Sequence, residues 1–280
     1  MEGESIMKIS TRKLLLNRYV IFCFGFVLLF QLFSYWVLSG SLEVIFKMGW
    51  DWYLKTGPSF SIYPVSGFNL LQTVFPLVAS ILALPFLYER VNYSFIYHRT
   101  SSYRRYIMKR MMITLLWGCV VVYVAYLIFL FIGAAVLPAD QDIPRQLFSE
   151  ITGENFANEH PVLYYVLEGF IRYILFLFVY GLFTVAVSFW TEKIYLCVLI
   201  PMIYYGAGGL LVSVIEAILH NFQWNVNLFF LSPAYPIMSN SRAYISGWAI
   251  LAPFLPILLF SIGSIVYSLY NHKGRDVYAA

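Results

Sequence analysis

Uncharged or nearly uncharged apolar runs recur along this chain at residues 19–38, 68–88, 111–137, 173–190, 194–215 and 246–270. A helix rises about 1.5 Å per residue, so about 20 apolar residues cross a ~30 Å hydrocarbon layer. Each run is long enough, or nearly so, to be such a helix. A barrel would need alternating segments of about 10 residues, and the runs do not alternate. In lipid a helix satisfies its own backbone polar groups, which an open strand does not. Composition agrees: 61% of the residues are hydrophobic and 11% charged, against about 45–50% and about 25% in soluble domains. The expected fold is an all-α polytopic membrane protein, a single transmembrane domain over residues 1–280 with six spans. The fourth run has only 18 uncharged residues, so its helix is expected to begin near Val162 and end near residue 190, carrying Glu168 and Arg172 one turn apart.

Lysine and arginine set the orientation, because cytoplasmic flanks retain them. An even number of spans puts both termini on one side. That side collects thirteen cations, from Lys8 through Arg18, from Arg90 through Arg110, and at Lys193, Lys273 and Arg275. The other side has four, Lys47, Lys55, Arg145 and Arg242. Both termini, including the tail 271–280, are therefore expected in the cytoplasm, with the chain multi-pass in the cell membrane. The first run is longer than a signal-peptide core and has no small-residue cleavage site after it, so it reads as a retained span. Cys23, Cys119 and Cys197 sit inside apolar runs and read as buried thiols rather than a disulfide or metal set.

Four segments outside the spans carry a reading. Residues 1–18 form a basic flank, within which 8–18 mixes apolar and cationic positions. It is either an interfacial amphipathic helix or an ordinary positive flank. Residues 41–67 should be an outer loop holding at most a short helix. Residues 220–245 are too apolar for a solvated loop and too interrupted for a span, which suits a re-entrant or interfacial hairpin before the sixth span. Between spans two and three, residues 88–110 carry six cations interleaved with aromatics. The pattern predicts a short helix, a turn at residues 100–102, then a helix starting near Tyr103 and running into the third span. Two roles stay open for it: a basic, aromatic docking surface, or cations that only fix topology and touch anionic lipid.

This segment resembles the cytoplasmic loop of ABC-type export permeases of the type-2 (ABC-2-like) membrane family. There, an acidic residue ending the second span is followed by a coupling helix, a basic turn and a lysine opening the third span. Glu89 matches the acid, Phe95 and Ile96 the apolar positions, Arg99 the basic residue before the turn, and Arg104, Arg105 and Lys109 the basic stretch after it. Asn92 and Tyr93 stand where a glycine is common, and no proline occupies the turn. Six spans, cytoplasmic termini and the interrupted segment before span six match the family's architecture. The resemblance implies a permease subunit whose coupling helix docks on a separate cytoplasmic ATPase, present in two copies that bind ATP and Mg. It also implies a second permease chain, identical or related, and outward movement of cargo. The chain contains no Gly-Lys dipeptide and hence no P-loop of its own. Gly206, Gly208 and Gly209 lie inside a span, where small residues permit close helix packing.

Few ionisable residues sit at membrane depth. Glu168 with Arg172, and Glu216 with His220, are spaced i,i+4. They are candidates for a transport pathway or pairs that stabilise their own helices. An aromatic share of 20% suits a cavity for an amphipathic or hydrophobic cargo such as a peptide, antibiotic or lipid, and lipid-facing packing explains it as well. Enzyme chemistry finds no support: His98, His160, His220 and His272 form no HExxH, no Glu-Glu occurs, and no GxSG run is present. Catalytic and metal-binding residues, cofactors held by this chain and nucleic acid are not expected. The alternatives are an ion-coupled secondary transporter, opposed by three charge-free leading spans, and a non-transporting subunit of a larger membrane complex.

Overall fold

The computed structural model describes residues 17–38, 47, 60, 62–91, 103–137, 156–191, 193–221, 232–233 and 251–271. Among these the regular structure is helical, with no strand. The principal elements are α1 (Arg18–Leu38), α2 (Ile62–Asn69), α3 (Leu71–Val91), α4 (Tyr103–Val136), α5 (Phe156–Glu159), α6 (Pro161–Gly169), a π-turn (Phe170–Leu175), α7 (Phe176–Ser188), α8 (Ile194–Asn221) and α9 (Phe254–Asn271). Five helical rods are long and apolar enough to cross a membrane, with α6, the π-turn and α7 counted as one rod, Pro161–Ser188. The apolar part of α9, Phe254–Tyr270, is shorter. Residues 246–250 of the expected sixth span lie outside the described residues.

Local chemistry sets the helix ends. Asn17 caps α1, its side-chain oxygen accepting from the Tyr19 N–H at 3.0 Å. Pro161 opens α6 at a position where its missing N–H costs nothing, one residue before the expected start. The second span differs from the expected single run. Its helix breaks at Leu70, with α2 before the break and α3 after it. A break inside an apolar bundle strands backbone groups that lipid cannot satisfy. Ser34 of α1, fully buried, meets both needs: its hydroxyl donates to the Ser66 carbonyl at 2.6 Å and accepts from the Leu70 N–H at 3.2 Å.

Helix α7 is the centre of the bundle, with every residue except Phe178 buried. Close approach to its neighbours needs small residues. Gly181 admits Leu115 of α4, and Gly118 of α4 admits Leu82 of α3. Ser80 of α3 meets Thr184 of α7 at 3.0 Å, a hydroxyl pair inside the core. Helices α7 and α9 run parallel, as three successive ring contacts require: Phe176 with Phe254, Phe183 with Phe260, and Trp190 with Tyr267. Helix α1 buries a narrow stripe (Val20, Cys23, Val27, Gln31, Ser34 and Tyr35) and turns Phe22, Leu29 and Phe33 outward. All three cysteines are buried thiols outside any disulfide.

Helix α8 is the outermost. Only Cys197 and Pro201 are buried along its 28 residues. At its midpoint, a Cβ on Gly208 would sit 2.6 Å from Pro233, and Gly209 faces Ser232. These glycines therefore admit a returning loop, where the sequence suggested helix-on-helix packing. Gly208 lies 13 residues before Asn221, so Ser232 and Pro233 touch α8 about 20 Å below its far end.

One end of the bundle is basic and aromatic. Tyr19 at the start of α1 stacks on Tyr88 near the end of α3, with ring centroids 6.0 Å apart. Arg104 at the start of α4 lies over the ring of Tyr270 at the end of α9, 4.6 Å from its centroid. The start of the first helix and the end of the last thus share an end with the α3 and α4 termini.

Candidate functional site

The centre of interest is a buried charge pair where helix geometry changes. Glu168 is the penultimate residue of α6 and Arg172 lies in the π-turn. Only 2% and 4% of their surfaces are exposed. The Arg172 guanidinium donates to the Glu168 carboxylate as a direct ion pair. Removing two charges from water costs several kcal/mol per ion, offset only when they meet in good geometry. Here the pair is i,i+4 with the acid on the N-terminal side, the favoured order on a helix. Phe68 adds a ring face 5.3 Å from the guanidinium carbon.

The rod tolerates an extra residue per turn at this point because neighbours hold it there. The Phe176 N–H bonds back five residues to the Ile171 carbonyl, the spacing that defines a π-turn. Just before it, two tyrosines of α4 reach across: Tyr123 donates to the Val166 carbonyl at 2.7 Å and Tyr126 to the Tyr165 carbonyl at 2.9 Å. Within the turn, Tyr173 stacks on Tyr126 with centroids 4.4 Å apart and meets the edges of Phe68 and Phe75. Gln31 of α1 donates to the Tyr173 hydroxyl. Two rods, α1 and α4, therefore meet this part of the central rod through polar groups, and Phe68 and Phe75 add ring contacts from α2 and α3.

Gly169 makes this convergence possible. Three atoms of the Tyr126 ring lie within 2.9 Å of where its Cβ would be. No larger residue admits the Tyr126 ring so close to the rod.

The two expected acid–base pairs differ. Glu168 and Arg172 are brought together, beside the backbone and ring that α4 and α1 hold. Glu216 is half-buried and His220 exposed near the free end of α8, and among the described residues no bond or ion pair joins them. On the basic end, Arg105 and Lys109 are exposed, whereas Arg104 is turned onto Tyr270. Glu89 falls in the final turn of α3. The helix expected near Tyr103 begins there and continues unbroken through the third span as α4. Phe95, Ile96 and Arg99 lie outside the described residues, as do the flank 1–16 and the tail 272–280.

Sequence reasoning did not find Gln31, Tyr123, Tyr126, Tyr173 or Gly169. Gln31 offered one signal, as the single amide in the run 19–38. The tyrosines offered none among the chain's 23. The described residues contain no grouping of His, Cys, Asp and Glu able to hold a metal. The site ties the position of α4 to the geometry of the central rod. Comparison with protein-family models, with curated proteins and with solved structures gave no match.

Proposed function

We propose that this chain is the membrane-spanning permease subunit of an ATP-driven ABC exporter. It crosses the cell membrane six times with both termini in the cytoplasm, and α9 together with residues 246–250 forms the sixth span. Two cytoplasmic ATPase subunits bind ATP and Mg, and a second permease chain completes the unit. The cargo is amphipathic or hydrophobic: a peptide, an antibiotic or a lipid.

The observation that carries this reading is the continuity of α4. Its 34 residues make a rod about 51 Å long. One end presents Arg105 and Lys109, and Tyr123 and Tyr126 lie about 21–32 Å further along. A push on the basic segment 88–110 therefore moves two hydroxyls that hold the turn before the π-segment, next to the Glu168–Arg172 pair. Closure of paired ATPase subunits is the kind of displacement such a lever transmits. The return of Ser232–Pro233 to the midpoint of α8 fits a re-entrant segment before span six. An ion-coupled secondary transporter is less well supported, because the buried carboxylate of Glu168 is already neutralised by Arg172.

Docking is tested by reversing Arg105 and Lys109 to Glu. The permease should still elute as a folded species while its co-purification with a P-loop ATPase is abolished. Undiminished pull-down of the ATPase by the folded variant would refute docking at this end.

A further inference from the structure

The basic end carries a second feature, a set of open rings beside the docking cations and apart from the central site. Trp190, just past α7, and Tyr267 of α9 stack with ring planes 2° apart and centroids 6.1 Å apart. Tyr270, one turn further along α9, lies beneath the Arg104 guanidinium. The result is a strip of three rings and a cation bridging the ends of α4, α7 and α9. The rings are open: Trp190 is 63% exposed, Tyr267 57% and Tyr270 62%. Arg105, exposed, follows Arg104.

We infer that this strip is a binding site for the headgroup of an anionic phospholipid. Large amphipathic rings at the ends of apolar helices belong at the depth where hydrocarbon meets headgroup. A guanidinium laid on a ring face keeps its N–H edge free to fork onto a phosphate. Tyrosine hydroxyls add donors at the same level, and the ring faces cover the first methylenes of an acyl chain. A headgroup with net negative charge matches two adjacent arginines, and a zwitterionic one does so less well. The site requires only that this end of the bundle meet a membrane surface. Its test requires neither an ATPase nor a direction of transport.

The test is lipid retention by the purified full-length chain, measured by native mass spectrometry after exchange into nanodiscs of phosphatidylglycerol or phosphatidylcholine. The chain should retain phosphatidylglycerol preferentially. Arg104→Gln should reduce that preference about fivefold, the worth of one cation at an anionic surface, and Arg104→Lys, which keeps the charge but loses the fork, should recover only part of it. Trp190→Leu should lower retention of both lipids. Size-exclusion elution identical to the parent shows that each variant is folded. Equal retention of the two lipids by the parent, or a preference unchanged in folded Arg104→Gln, would overturn the assignment.

Discussion

Replacing Gly169 by alanine tests how tightly α4 is fitted to the central rod. On an isolated helix the change would help, because alanine is favoured over glycine by about 1 kcal/mol. Here the new methyl meets three atoms of the Tyr126 ring within 2.9 Å. That ring cannot swing aside cheaply: it is stacked on Tyr173 at 4.4 Å, and its hydroxyl is tied to the Tyr165 carbonyl. Overpacking a full core costs about 1–3 kcal/mol, and loss of the hydroxyl contact adds about 1 kcal/mol. After subtracting the propensity gain, Gly169→Ala should destabilise by about 1–3 kcal/mol. Reversible unfolding in mixed detergent and SDS micelles, followed by circular dichroism, measures this. Gly206→Ala and Gly263→Ala are the controls, since nothing lies within 4 Å of their Cβ positions, and they should be neutral or stabilising. In a Tyr126→Ala background the cost of Gly169→Ala should disappear, a coupling that only direct contact produces. A Gly169→Ala variant as stable as the Gly206→Ala control, or a cost that persists without the Tyr126 ring, would refute the reasoning.

Removing one member of the buried pair, by Glu168→Gln or Arg172→Met, should cost about 3–5 kcal/mol in the same unfolding assay. The double replacement Glu168→Leu with Arg172→Met should recover most of that loss, and a double variant as unstable as the worse single one would mean the pair is not acting as a unit. Ser34→Ala should cost about 1–3 kcal/mol, because the Leu70 N–H and Ser66 carbonyl lose their partner in an apolar interior. Ser34→Thr, which keeps the hydroxyl, should be milder, and equal effects would count against the capping role.

The sequence made the gross architecture legible because burial in lipid writes itself as uninterrupted apolar length. The start of the fourth rod could be placed near Val162 because its uncharged run is too short to span alone, and the helix entering the third span near Tyr103 because Ser101 or Ser102 can cap it. The i,i+4 spacing of Glu168 and Arg172 likewise predicted that they would share a face. The π-turn was not legible. It is sustained by Tyr123 and Tyr126, more than 40 residues upstream of the turn, and by Gln31, and no local pattern reports such distant donors. Gly169 looked like any glycine in a span, and its purpose depends on a ring from another helix. Glu216 and His220 had the same spacing as the buried pair, yet α8 leaves the bundle before it reaches them. Spacing alone says which residues share a helix face and not what that face meets.

Force applied to the basic end should reach the central rod through α4. Spin labels at Phe33 of α1 and Leu163 of α6, both exposed, report the distance between the far end of the first helix and the start of the rod by double electron–electron resonance. In a complex with the proposed ATPase, trapping nucleotide with vanadate should shift that distance. The shift should vanish in Tyr123→Phe/Tyr126→Phe while ATPase binding persists. No shift in the unmodified complex, or an undiminished shift in the double variant, would contradict the lever.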